Sequence, residues 1–154
     1  MLLDCPTLIH HFLENSAKRF PDKVALVYEE VCATYAQINA QANQLAGFLV
    51  NQGVVPGDRV VLLLENSLEY VVAYYGVLKA GAVAVPLNTE LKPDGVLPLL
   101  NELGAEVLLS QRKFERLLRQ IDFAETAIRT VVIKSPKLDL KQDISVDHSR
   151  CKSD

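Results

Sequence analysis

The apolar positions change period from one stretch of the chain to the next, and each period predicts an element. Between Thr7 and Arg19, Leu8, Phe12, Leu13 and Ala17 recur at near-helical spacing. Thr7 stands where an N-cap would and Pro21 follows soon after, so an amphipathic helix is expected here. Val24 to Tyr28 and Val31 to Ala33 read as two strands of a hairpin, although its turn, Glu29-Glu30, lacks the glycine or asparagine such turns favour. Thr34-Tyr35-Ala36-Gln37 spells a capping box, in which hydroxyl and amide side chain each satisfy the other residue's backbone N–H. The helix it opens carries Ile38, Ala42, Leu45 and Leu49 on one stripe and meets Gly53 at its end. Pro56-Gly57 suits the centre of a type II turn. The following strand, Arg59 to Leu64, has no polar residue after Arg59, which suits a central strand covered on both faces.

Asn66 is the expected cap of the next helix, with Glu69 favourable to its positive end and Leu68, Val71, Val72, Tyr75 and Leu78 as its buried stripe. Gly81 ends that helix, and Ala82 to Val85 is a strand closed by Pro86. Strand, helix and strand within about thirty residues have the length of a right-handed parallel crossover. Pro93-Asp94 opens a further helix toward Gly104, with Pro98 expected to kink it. Glu106 to Leu109 reads as a strand, Arg112 to Arg119 as a short helix and Thr130 to Ile133 as the last strand. The alternation predicts an α/β domain, doubly wound, with a largely parallel sheet and flanking helices over residues 1–134. Residues 135–154 are polar with isolated apolar positions, and are expected to form a disordered tail or severed linker.

Composition adds mainly exclusions. At 154 residues, one domain can bury about two-thirds of its unfolded surface without disulfides or metal. The 16 basic and 19 acidic residues are dispersed, leaving no basic stripe for a nucleic-acid backbone. No apolar stretch approaches the ~20 residues of a membrane-spanning helix. Cys5, Cys32 and Cys151 are odd in number and widely spread, and no basic leader precedes an apolar segment, so reduced thiols and a cytoplasmic location are expected.

Candidate chemistry is sparse. Neither GxGxxG nor GxxxxGK[ST] occurs, and Gly76 to Gly81 has the wrong spacing for a phosphate loop, with Lys79 before its second glycine. Lys79 is expected to complement the helix dipole rather than a phosphate. His10 and His11 point about 100° apart on a helix and cannot share a metal in the i, i+4 manner. His148 and Cys151 lack a second ligand pair, Asp58-Arg59 reads as a turn-closing pair, and Tyr70, Tyr74 and Tyr75 as helix packing. No serine has identifiable histidine and carboxylate partners. No catalytic, cofactor-binding or metal residue is therefore assigned.

A resemblance rests on five segments in order: Thr34-Tyr35-Ala36-Gln37-Ile38, Ala42-Asn43-Gln44-Leu45-Ala46, Gly57-Asp58-Arg59-Val60, Asn66-Ser67, and Leu78-Lys79-Ala80-Gly81 through Pro86-Leu87-Asn88. From Thr7 to Ile133 the chain resembles the start of the AMP-forming (adenylate-forming) acyl ligases. Ala33 and Pro98 are small departures from that pattern. The variant from Gly81 to Asn88 is closer to acyl-CoA synthetases than to amino-acid adenylation domains, which tend to carry a tyrosine before the valine and an aspartate after the leucine. The resemblance implies ATP-dependent conversion of a carboxylic acid to an acyl adenylate, then thioester formation on coenzyme A or a carrier pantetheine. It also implies that the phosphate loop, the magnesium-binding acid and the mobile lysine lie downstream of the matched region. The 154 residues alone are accordingly expected not to adenylate. The alternatives are a non-catalytic module docking a partner ligase half or an acyl carrier protein, and a small nucleotide-binding protein. Self-association through an exposed apolar sheet face is expected as well.

Overall fold

The computed structural model describes residues 8–134. Helix α1 spans Ile9–Arg19 with Leu8 at its N-cap, no side chain capping it and only Leu13 fully buried; Thr7 lies outside the described residues. Strands β1 (Val24–Tyr28) and β2 (Val31–Thr34) form the expected antiparallel hairpin. Its turn lacks glycine because Glu29 itself takes the left-handed conformation, at φ 52°, which costs a non-glycine residue about 1 kcal/mol. The capping box opens α2 (Tyr35–Asn51): Gln37 N donates to Thr34 Oγ1 at 3.3 Å and Thr34 N to Gln37 Oε1 at 2.9 Å. In the turn after α2, Gly57 has φ 91° and Asp58 N donates to Val55 O at 3.1 Å. Asp58 Oδ2 accepts from Val55 N at 2.8 Å, so Asp58 closes this turn through the backbone rather than through Arg59.

Strand β3 (Arg59–Leu63) leads into α3 (Leu68–Lys79), β4 (Val83–Pro86), α4 (Pro93–Leu103) and β5 (Val107–Gln111). A 3-10 turn at Arg112–Phe114 continues as α5 (Glu115–Leu118), splitting the single short helix expected there, and β6 (Thr130–Lys134) completes the order. Pro98 sits inside α4 without ending it. The cap of α3 is Ser67, one residue beyond the expected Asn66: its hydroxyl accepts from Tyr70 N at 3.2 Å.

The main sheet has the order β4-β3-β5-β6 and every pair is parallel. Side chains alternate across it with period two. Val60, Leu62, Leu64, Val107 and Leu109 face one core with α2 and α3, while Val61, Leu63 and Leu108 face another with α4, Phe114 and Leu118. Helices on both faces make the domain doubly wound, as the pattern predicts. A third cluster, Leu13, Ala33, Ile38 and Ala42, joins α1 and the hairpin to α2. Because α3 is covered by the sheet, α2 and α1 together, its buried set is Val72, Ala73, Gly76 and Val77; Leu68, Val71 and Tyr75 of the expected stripe pack partly buried on the third cluster.

Two expectations are corrected. The central strands are covered on both faces by the crossover helices, so the described residues leave no bare apolar face on them through which copies could associate. Exposed apolar side chains lie elsewhere, on α1 and at the hairpin tip among other places. Cys32, buried in β2, is disulfide-bonded rather than a reduced thiol, since separation along the sequence does not set the distance between sulfur atoms in the fold.

The joint from α3 to β4 depends on Gly81. Its φ is 77°, its carbonyl accepts from Gly57 N at 3.0 Å, and a Cβ there would stand 3.3 Å from the Pro56 ring. Two turns thus meet through one glycine. Pro86 fits at the end of β4 because that strand lies at an edge of the sheet. Val83 N and Leu87 N turn inward to Asp58 O and Leu62 O, so the alternate position, Pro86, faces outward and its missing N–H breaks no ladder bond.

Candidate functional site

Leaving β3, the chain crosses to β4 on one side, whereas β5 and β6 lie on the other. The carboxyl ends of β3 and β5 therefore flank a topological switch point, where open α/β sheets form their ligand crevices. Ser67 and Gln111 tie its two loops together. Gln111 Oε1 accepts from Glu65 N at 3.3 Å and its Nε2 donates to Ser67 Oγ at 3.3 Å. Ser67 Oγ donates to Glu65 O at 3.0 Å while accepting from Tyr70 N. Lys113 Nζ pairs with the Glu65 carboxylate across the same gap. Beneath, the buried Ser110 hydroxyl donates to Leu63 O at 3.0 Å. A small pocket beside it is lined by Leu45, Leu64, Ala73, Leu109 and Val132, with Glu69 and Ser110 as its polar members.

These residues do not fit a magnesium-bound triphosphate. The Ser67 hydroxyl already occupies an amide of the first turn of α3, the Lys113 cation is matched by Glu65, and Glu69 adds a second carboxylate where a phosphate would need donors. The bonds across the crevice hold the two loops against each other. Sequence reasoning passed over Gln111 and the Glu65–Lys113 pair because their partners lie 46 and 48 residues away. The signal available for them was positional: both lie at the carboxyl ends of strands that the pattern already places in a parallel sheet.

Lys79 stands at the other end of α3. It is the basic residue of that helix's last turn, as expected, and its Nζ also pairs with Glu14 Oε1 of α1 at 2.5 Å, the Lys79 side chain being 6% exposed. The hydrogen bond from Lys79 holds the Glu14 carboxyl below its ordinary value, and burial lowers His10. His10 and His11 meet edge to face at 4.7 Å, and no group of three or more potential metal ligands gathers among the described residues. His148 and Cys151 lie outside them. Tyr70 and Tyr74 stack at 6.4 Å and Tyr74 meets Tyr75 edge-on at 5.9 Å; burial pushes the Tyr75 hydroxyl up. Tyr70 and Tyr74 pack on the core, in keeping with a packing role.

The Glu14–Lys79 pair gives a pH-dependent stability with a definite sign. A carboxyl depressed in the folded state contributes stability above its unfolded value, 4.5, and loses it as pH falls through the folded value. Glu14→Gln should therefore unfold at lower urea than the parent chain at neutral pH, and the two midpoints should converge as the pH drops below that range. An offset unchanged from neutral to acid pH would show that the pair does not hold α1. Lowering of His10 adds a separate loss as pH falls below 6.5, because the unfolded imidazole then takes up a proton more readily than the folded one.

The family model described as AMP-binding enzyme matches residues 13–152. The chain belongs to the AMP-binding enzyme family. Among similar proteins of this family, tyrocidine synthase 3 of Brevibacillus parabrevis is 38% identical over 128 residues, 80% of this chain and 2% of that protein. Tyrocidine synthase 1 of the same organism is 33% identical over 134 residues, 87% of this chain and 12% of that protein. The fold is shared with the N-terminal domain of FACL13 from Mycobacterium tuberculosis, at a TM-score of 0.78 and 32% identity, covering 82% of this chain and 33% of that one. It is shared too with the anthranilate CoA ligase AuaEII in complex with anthranoyl-AMP, at a TM-score of 0.79 and 31% identity, covering 85% and 26%. The chain thus spans a third or less of each of these proteins, and its α/β architecture is that of the N-terminal domain of adenylate-forming ligases.

Proposed function

We propose that these 154 residues supply the leading part of an AMP-forming acid–thiol ligase and that they do not adenylate a carboxylate by themselves. The observation that carries this reading is the makeup of the switch-point crevice, where an amide of the first turn of α3 is capped by Ser67 and the Lys113 cation is paired with Glu65. Adenylyl transfer needs donors and cations free to take up phosphate charge. ATP, magnesium and coenzyme A or a pantetheine thiol would then be held by residues beyond this segment. Within the family, the stretch from Gly81 to Asn88 favours an acyl-CoA synthetase, with fatty acids among its candidate substrates and a cytoplasmic setting. Identity of 38% to tyrocidine synthase 3 favours an amino-acid adenylation type as the second reading.

Incubating the chain with ATP, magnesium, hydroxylamine and a panel of fatty, aryl and amino acids should give no hydroxamate above background. Turnover would overturn the proposed incompetence, and the acid that responds would decide between the two ligase types. The same segment acting as a docking module for a downstream ligase half or an acyl carrier protein would instead give a stable complex with one of them in gel filtration. Calorimetric binding of ATP, AMP or coenzyme A by the chain alone would favour a small nucleotide-binding protein.

A further inference from the structure

The hairpin of β1 and β2 stands apart from the main sheet, and neither of its outer edges is paired among the described residues. Strand β1, Val-Ala-Leu-Val-Tyr, carries no charge and no proline, two of the devices by which proteins protect an exposed edge from pairing with another chain. A third, the bulge, is confined to its start between Val24 and Leu26 and leaves Leu26 to Tyr28 in regular register with β2. The edge strand β4, by contrast, ends in Pro86. Strand β2 is the less available of the two, since Cys32 and Ala33 are buried. At the tip the exposed side chains are Val27 at 64%, Tyr28 at 38% and Val31 at 38%, together with Glu29 and Glu30. At the opposite end of β1 stand Arg19, exposed Phe20 and Lys23, with the guanidinium 5.2 Å and the ammonium 5.8 Å from the centre of the Phe20 ring. Asp22 is the one acid within that group and Lys18 adds a further cation. None of these charged side chains forms an ion pair among the described residues.

An acidic, apolar tip and a basic, aromatic base are thus separated by the length of one five-residue strand, about 17 Å. Two such strands laid antiparallel about a two-fold axis bring each tip against the other's base. We propose that the β1 edge pairs with the β1 edge of a second copy of this chain, Glu29 and Glu30 of each copy meeting Arg19 and Lys23 of the other. The contact is isologous and closes as a dimer rather than a filament. It joins two hairpins into one four-stranded antiparallel sheet, and main-chain hydrogen bonds supply the register while the charges choose the orientation. So short an edge buries less than the ~1,200 Å² of a standard interface, which places the dimer on the order of micromolar or weaker. The pairing does not rest on the ligase reading, and it replaces the sheet face, which the helices cover, as the self-associating surface.

Sedimentation velocity of the full chain across concentration tests the pairing. The parent chain should dimerise, and raising NaCl from about 50 to 500 mM should weaken the dimer about five-fold or more through screening. The charge reversals Glu29→Lys with Glu30→Lys, and separately Arg19→Glu with Lys23→Glu, should each be monomeric under the same conditions. Mixed together, the two double variants should form a heterodimer, because both contacts across the axis are then again between opposite charges. A monomeric parent chain, a dimer indifferent to both reversals, or a mixture that stays monomeric would overturn the proposal. Hydrogen exchange on the parent chain gives a readout free of any variant: the β1 amides should slow with concentration, and amides slowing elsewhere instead would place the contact on another surface.

Discussion

Leu62→Ala should lower the free energy of unfolding by about 3 kcal/mol, within the ~2–5 kcal/mol typical of deleting a fully buried leucine. Leu62 lies in β3 between Pro86 of β4 and Leu109 of β5, is 0% exposed, and packs into the core shared with α2 and α3. The loss combines the transfer of the missing methyl groups with a cavity that the flanking strands cannot close, because the β3 backbone is fixed by ladders on both sides. For a domain of this size the melting temperature should fall by about 10 °C. Val83→Ala makes the internal control, since Val83 sits on the edge strand and is 48% exposed. Its cost should stay within about 0.5 kcal/mol. Urea denaturation of the two variants measures the contrast, and a similar loss from both would mean that β3 is not the centre of the sheet.

The central place of β3 was legible in the sequence, whereas the edge position of β4 was not, because Ala82 to Val85 is equally apolar. Val60 to Leu64 is an uninterrupted apolar run, and such runs occur where both faces of a strand are covered. The crossovers were legible for a related reason: Thr34-Gln37, Gly57, Gly81 and Pro93 mark element ends by backbone requirements that do not depend on distant contacts. Less was legible where two residues compete locally. Asn66 and Ser67 can both cap a helix, and it is Ser67 that does so here, its hydroxyl also accepting from Gln111 of the adjacent strand β5, 44 residues away. The burial of α3 was hidden for a similar cause. One stripe suffices for a helix resting on one layer, but α3 touches the sheet, α2 and α1, and only the assembled fold reveals that Gly76 rather than Tyr75 faces the closest neighbour. The crevice residues were hidden by the same distance in sequence. Family membership was the most legible property, because it rests on the order of the local markers rather than on any contact between them.

Gly76→Val should cost about 3 kcal/mol, and the reason lies across the helix pair. A Cβ built on Gly76 would stand 2.8 Å from Leu45 Cδ2 and 2.9 Å from Leu45 Cβ, closer than side chains tolerate. Leu45 is 6% exposed and belongs to the core of α2, α3 and the sheet, so it has no free direction in which to swing. Alanine at the same site isolates the two opposing effects. It gains up to ~1 kcal/mol in helix propensity over glycine, against an overpacking cost of ~1–3 kcal/mol, and the clash should prevail by about 1 kcal/mol. Valine loses part of the propensity gain through its branched Cβ and adds two methyl groups to the same contact. Gly47, on the exposed side of α2 with nothing within 4 Å of its would-be Cβ, provides the opposite sign: Gly47→Ala should stabilise by about 0.5–1 kcal/mol. The decisive measurement is the double variant. If the contact with Leu45 is the cause, Leu45→Ala should be markedly less harmful in the Gly76→Val background than in the parent chain, with a coupling of at least ~1 kcal/mol. Strict additivity would mean that the valine acts through the backbone of α3, and the close approach of α2 to α3 would then not be what requires glycine at this position.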